Sequence, residues 1–180
     1  SLDFPVPGRT AVDLSQPETW RESLKKVTFP VVVKPEDGAE LTTYHHQGLR
    51  KAMPIDTLDE ALATFTAWHA NGVPICLIVQ ELISGDDTTQ WVVNGYVDSR
   101  GEITATGSGR VLLGLHQPEV IGNAAMILVQ RNDELIAQAQ KIVRAAGMRG
   151  FFSMDVKIDP RTGTAYWLDL NPRIGRGHYY

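Results

Sequence analysis

The sequence predicts an α+β chain in two lobes, the second built on a mainly antiparallel sheet, and three observations carry that prediction. Short β-branched or alternating runs bounded by Gly and Pro recur along the chain, as strands require. Only three segments open with helix start signals, and two of them add an apolar stripe of helical period. The strand-dense second half holds two tight reversals, Ser99-Arg100-Gly101 and Asp159-Pro160-Arg161-Thr162-Gly163-Thr164, which join neighbouring antiparallel strands directly.

Ser15, Pro17 and Glu18 open a helix that runs to about Lys26, with Pro in a first-turn position where its missing N–H is not needed. Phe29–Pro35 is a β-branched run closed by Pro35, hence a strand ending at Lys34. Glu36–Gly48 is polar and reads as a loop, and Arg50–Ile55 as a short strand. Thr57 with Glu60 forms a capping box; Leu58, Ala61, Leu62 and Phe65 make a helical stripe that Asn71-Gly72 ends. Strands follow at about Ile75–Leu82, Gln90–Asp98 and Glu102–Gly107. Asn132 caps a helix with the stripe Leu135, Ala139, Ile142, Val143 and Ala146, stopped at Gly147. Phe151–Ile158 and Ala165–Leu170 form a closing hairpin, and the break between lobes falls near Pro74–Leu82.

A chain of 180 residues, 43% hydrophobic and 21% charged, is globular in composition, which excludes disorder, collagen and coiled coil. A formal charge of −4 argues against duplex nucleic acid or an anionic lipid surface as the main partner. No stretch approaches the ~18 uncharged residues of a membrane-spanning helix. The single Cys76 lies in an apolar run and permits no internal disulfide, so it reads as buried packing in a cytoplasmic protein. The first residues have no element to pack on, and the chain stops just after its densest polar motif. Both ends are therefore expected to be cuts within a longer protein.

The closing hairpin carries the sharpest chemistry. Met154, Val156 and Ile158 alternate with Ser153, Asp155 and Lys157, so one face is core and the other polar. If Asp159 and Ala165 close the ladder, Asp155 stands opposite Asp169, with Asn171 on the same face. Like charges opposed across a sheet cost up to ~1 kcal/mol. A divalent cation such as Mg²⁺ would turn that cost into binding, with Arg173 in reach of a bridged phosphate; the alternative is an ordinary solvated face. Lys34, at a strand end opening onto a loop, suits a phosphate or is a surface lysine. Gln80–Asp87 ends a strand in a polar turn whose backbone suits an adenine edge, or is an ordinary strand end.

Together these segments resemble the ATP-grasp family of carboxylate–amine or thiol ligases, over nearly the whole chain. Leu2–Arg9 looks like the family's lead-in to the small lobe. Phe29–Pro35 looks like the strand bearing the phosphate-binding lysine, Lys34. Glu36–Arg50 takes the place of the phosphate-covering loop, and Arg50-Lys51 that of the basic residues re-entering the sheet. Val79–Asp87 looks like the adenine hinge, with Gln80 in place of the usual acid, backbone groups from Glu81 and Ile83, and Asp87 at the position that holds the ribose. Phe152–Val156 and Trp167–Arg173 look like the paired magnesium strands, so that Asp155, Asp169 and Asn171 match metal ligands and Arg173 the arginine near the transferred phosphate. Asp86-Asp87 and Gly150-Phe151-Phe152-Ser153 look closest to the branch that includes D-aspartate ligase. Two departures stand out: a covering loop poor in glycine, and aspartates where longer glutamates are usual.

The resemblance implies the ATP-grasp fold, two α+β lobes with nucleotide between them. It implies a small lid lobe over residues 1–79, a large lobe over 80–180, and flanking N- and C-terminal parts of the enzyme that lie outside this chain. It implies ATP with Mg²⁺ (or Mn²⁺), a carboxylate activated as an acyl phosphate and attacked by an amine, and room for a homodimer in the longer protein. Lys34 and Arg173 would act on the transferred phosphoryl group. Arg110 and His178 would face substrate, although Arg110 reads equally as a surface residue. The rival reading is a regulatory or degenerate nucleotide-binding module without turnover. His45-His46 has no partner at metal-ligand spacing, and Gly107-x-Gly109 is not followed by a helix start, so neither offers a competing site.

Overall fold

Two large hydrophobic cores organise the chain, each against its own antiparallel sheet, and a small third cluster of Val92, Val111 and Ile127 lies on the other face of the second sheet. In the computed structural model, residues 4–117, 120–175 and 178 are described. One unit is Pro7–Leu82 with His116–Gly122; the other is Ser1–Val6, Ile83–Leu115 and Asn123–Tyr180. Among the described residues no helix is long and apolar enough to cross a membrane.

The first unit contains β1 (Arg9–Asp13), α1 (Pro17–Leu24), β2 (Val31–Pro35), α2 (Glu40–Tyr44), β3 (Met53–Ile55), α3 (Leu58–Ala70) and β4 (Cys76–Glu81). Its sheet order is β1-β4-β2-β3. Alternation along β2 and β4 turns Val31, Val33, Leu77 and Val79 onto Trp20 and Leu24 of α1 and Ala61, Phe65 and Trp68 of α3, all buried. Thr57 caps the helix as expected, its Oγ1 accepting from the Glu60 N–H at 3.2 Å, while the Glu60 carboxylate reaches one residue further back than a capping box requires and accepts from the Asp56 N–H at 3.0 Å. The Glu81 carboxylate ties two chain segments together, accepting from the N–H of Gly8 (3.2 Å) and of Thr28 (2.9 Å). A Cβ at Gly8 would lie 2.7 Å from that carboxylate, so any larger residue there would displace the Glu81 side chain.

Here the structure corrects the sequence reading in several places. Arg9–Asp13 is a strand, stabilised by pairing along the whole of β4 rather than by any apolar pattern of its own. The segment expected to be a loop holds α2 and a single 3-10 turn, His45–Gln47, so the two histidines lie on a helical turn with their rings edge-to-face. The short strand is confined to Met53–Ile55. Cys76 is half-buried, because Leu77 and Val79 take the core face of β4.

The second unit contains β5 (Gln90–Val97), β6 (Ile103–Gly114), β7 (Ala124–Val129), α4 (Asp133–Ala145), β8 (Gly150–Ile158) and β9 (Ala165–Asn171), with sheet order β7-β6-β5-β8-β9. Leu135, Ala139 and Val143 of α4 pack on Trp91, Val93, Phe152, Met154, Val156 and Trp167. Asn132 caps that helix through the Leu135 N–H, and its own N–H donates to Ser108 Oγ at 2.8 Å, which anchors α4 to β6. β6 runs well past the expected Gly107, and β7 was not anticipated: its apolar residues Met126, Leu128 and Val129 are exposed and show no alternation.

Candidate active site

The hairpin β8–β9 sets the position of the acidic pair. Its ladder closes at Ile158–Ala165, one residue earlier than the expected Asp159–Ala165. Left regular, that register would set Asp169 opposite Met154, on the core face. Instead the register shifts between Asp155 and Val156: Val156 pairs with Trp167, Asp155 with Asp169, and Leu168 has no partner. A bulge of this kind re-aims the strand beyond it. Trp167 and Leu170 consequently both turn to the core side, opposite Val156 and Met154, and Asp155 and Asp169 face each other on the other side. Asn171 Nδ2 donates to Asp169 Oδ2 at 3.0 Å, so the three oxygen-bearing side chains share one face. Among the described residues no group of three or more His, Cys, Asp or Glu side chains gathers to hold a metal. Two carboxylates and an amide form a set of hard oxygens suited to Mg²⁺, which prefers few protein ligands and keeps water or phosphate for the rest.

Lys157 belongs to the same face, two residues from Asp155, and the period-two pattern already showed it. It is half-buried, and burial holds its ammonium below the ordinary lysine pKa, while Asp87 and Asp86 pull in the other direction. Asp87 sits on the 3-10 turn Asp87–Thr89 and accepts from the Gly114 N–H at 2.8 Å through Oδ2. Asp86 caps that turn through the Thr88 hydroxyl (2.7 Å) and N–H (2.9 Å), and the hydroxyl bond is the main reason its carboxyl lies below the usual carboxylate range.

In the first unit, Lys34 and Gln80 lie on the sheet face away from the core, and Lys34 Nζ is 3.4 Å from Gln80 Oε1. Arg9 pairs directly with Gln80 across β1 and β4, adding a second cation to that face. The lead-in segment contained it, but with no strand expected there nothing assigned its side. Glu81 donates its backbone N–H to the Gly8 carbonyl at 2.9 Å. Lys51 is exposed beyond the 3-10 turn, whereas Arg50 is bonded to the carbonyls of His45 and Leu49.

Arg110 is not brought to the acidic face. It pairs with Trp91, which pairs with Val156, so it lies on the α4 side of the sheet, and its Nε donates to the Thr88 carbonyl at 2.7 Å. Arg173 is exposed just beyond β9, its guanidinium near the Ile174 carbonyl at 3.4 Å. His178 returns to the second sheet: its Nδ1 accepts from the Gly175 N–H at 3.0 Å, and its ring meets Phe151 edge-on with centroids 5.5 Å apart. Gly175 passes close over Ser153, 3.1 Å from where a Cβ would sit. Ile83 is buried in the second unit. Leu2 and Asp3 of the lead-in, and the residues flanking His178, lie outside the described residues.

No established protein-family profile matches the chain. It is 30% identical over 152 residues to D-aspartate ligase from Enterococcus faecium (strain Aus0004), a match that covers 84% of this chain and 36% of that enzyme. The chain thus spans about a third of that relative's length. Among solved structures, N5-carboxyaminoimidazole ribonucleotide synthetase in complex with ADP superposes with a TM-score of 0.69 at 15% identity, covering 98% of this chain and 43% of that one. The VanG D-Ala:D-Ser ligase from Enterococcus faecalis superposes at 0.64 and 16% identity, covering 94% and 48% respectively. At these identities the structures speak to the fold, which they share with this chain.

Proposed function

We propose that the chain is an ATP-grasp protein and, on that premise, the nucleotide-binding core of an ATP-dependent carboxylate–amine ligase. The observation that supports this most strongly is the opposition of Asp155 and Asp169 with Asn171 beside them. As a purely structural arrangement it is unfavourable, and as a hard-oxygen site it is apt. Asp155, Asp169 and Asn171 would hold Mg²⁺, or Mn²⁺ in its place, and the ion would supply charge neutralisation for the terminal phosphates of ATP.

The residues of this chain then have separable tasks. Lys34, steadied by Gln80, offers an ammonium to a phosphate oxygen, and Lys51 a further positive charge. Glu81, through its carbonyl, and Ile83 present backbone groups to the adenine edge, and Asp87 accepts from the ribose hydroxyls. Arg173 neutralises charge on the phosphoryl group in transfer. A substrate carboxylate oxygen attacks the γ-phosphorus as the bond to the β,γ-bridging oxygen breaks; ADP leaves with that electron pair, and the carboxylate becomes an acyl phosphate. The amine's lone pair then forms the C–N bond as the C–O bond to phosphate breaks; phosphate leaves with the electron pair, and the amine's proton passes to solvent. No protein nucleophile is required. D-aspartate is the first acid to test, given the curated relative.

The test is phosphate release by the complete gene product with ATP, Mg²⁺, D-aspartate or other small acids, and a panel of primary amines, with the amide identified by mass spectrometry. ATP binding without acid- and amine-dependent phosphate release would leave a nucleotide-binding module and end the ligase reading.

A further inference from the structure

On the acidic face of the second sheet lies a cavity of about 250 Å³, a little below the ~300 Å³ at which ligand pockets usually begin. It is sized for a molecule like an amino acid, or for one end of something larger. Gly107, in the middle of β6, forms part of its floor, and a Cβ there would meet nothing within 4 Å. The backbone at Gly107 does not need glycine, because its φ is not positive. The missing side chain therefore leaves room rather than relieving strain. Phe151 and Tyr96, ring centroids 4.9 Å apart, supply an apolar wall.

Two polar groups of the lining are buried and have no hydrogen-bond partner among the described residues. Asn94 Oδ1 is one, and Asn94 stands between Gly107 and Ser153 in the ladder. His178 Nε2 is the other. Because His178 Nδ1 accepts from Gly175, the neutral ring carries its proton on Nε2, which is therefore a donor. An acceptor and a donor left unpaired in a cavity are costly unless a ligand meets them.

Charge selects the ligand. None of the described lining residues is Lys or Arg, so a carboxylate would enter without a counter-ion. Asp155 lies on the same face, two residues along β8 from Ser153, or roughly 7 Å. That field favours an amine and disfavours a second anion.

We propose that this cavity binds the amine substrate, a primary alkyl amine of amino-acid size, with Asn94 accepting from its nitrogen and Gly107 limiting its bulk. The proposal rests on the ligase reading and adds to it the site and class of the attacking amine.

The experiment uses the complete gene product with ammonium, ethylamine and n-butylamine as amines. Gly107→Val should raise KM for ethylamine and n-butylamine at least tenfold, leaving KM for ammonium, ATP and the acid within twofold. Asn94→Leu should raise KM for every amine, ammonium included, with kcat retained. Unchanged amine KM in both variants, or a change confined to ATP or the acid, would overturn the proposal. Should the wild type release no phosphate with any pair, the ligase reading fails by itself, and binding decides the cavity. Ethylamine or n-butylamine should then shift the Asn94 side-chain amide resonance in wild type but not in Gly107→Val, and an unmoved resonance overturns the assignment.

Discussion

Asp155 and Asp169 stand directly opposite each other across β8 and β9 because Leu168 has no partner in the ladder. Trp167 and Leu170 are three residues apart, yet both lie on the core side, which a regular strand forbids. One unpaired residue reconciles a core anchored by Trp167 with an acidic pair on the opposite face.

Asp169→Asn removes one charge of the pair and keeps its shape. The metal-free protein should be as stable as wild type, or more stable by up to ~1 kcal/mol, because a repulsion is relieved. Calorimetric ATP titration should show that the enhancement by Mg²⁺ falls at least tenfold. A variant that keeps the full enhancement would remove the metal assignment.

Lys34→Met should weaken ATP binding with and without Mg²⁺, since the ammonium is proposed to meet phosphate directly. Charge-assisted hydrogen bonds contribute about 1.5–3 kcal/mol, or roughly ten- to a hundredfold in Kd. Its neighbour Gln80 should matter less, and Gln80→Leu is expected to stay within about fivefold by the tenfold-per-1.4 kcal/mol scale. Equal losses in the two variants would argue that Gln80 itself touches the nucleotide.

Deleting Leu168 makes a counter-intuitive test. With that residue gone, the ladder from Val156–Trp167 continues regularly and still sets Asp155 against Asp169. The deletion should lower the melting temperature, by the ~1–2 kcal/mol of a half-buried leucine, and keep Mg²⁺-dependent ATP binding within a few-fold. Loss of the Mg²⁺ effect in a folded deletion variant would mean that the bulge's twist, rather than the pairing alone, aims the carboxylates.

Asp159 anchors the hairpin turn. It is buried, and its carboxylate accepts from the Arg161 N–H (2.9 Å), Nε (3.0 Å) and Nη2 (2.7 Å). The Arg161 side chain is the main reason its carboxyl lies below the usual range. A depressed folded pKa contributes stability that is complete above the unfolded value near ~3.9 and is lost as pH falls through the folded value. Asp159→Asn should therefore melt below wild type at pH 7, and the gap should close at acid pH. A gap that persists unchanged at pH 2 would show that shape, not charge, is what Asp159 contributes.

Helices α3 and α4 were legible because each couples an apolar stripe to a local start signal, the Thr57–Glu60 pair and the Asn132 cap, and α1 was legible from Pro17 and its flanking start residues alone. β1 and α2 were not, since Arg9–Asp13 is a strand only through β4 and Glu40–Tyr44 has no apolar stripe. The acidic pair was legible in its partners but not in its register. Periodicity counts residues without seeing which of them a strand leaves unpaired, and Leu168 looks like any other apolar strand residue. Arg110 was misplaced for a related reason: its side of the sheet depends on pairing with Trp91, which adjacency to Gly109 does not reveal. Asn94 and Gly107 carry no motif, and their interest arises only from being opposite each other in β5 and β6.

The border strand β7 has a practical corollary for anyone handling this polypeptide. It ends the second sheet, and Met126, Leu128 and Val129 are 53%, 48% and 67% exposed, next to Leu113 at 51%. A rim of open backbone edged with greasy side chains invites a neighbouring molecule to add its own strand, and this patch carries little charge to discourage it. Concentrated preparations should cloud or form soluble clusters on warming well before the cores melt. A single Lys at Val129 should delay that onset, as followed by light scattering, without altering ATP affinity.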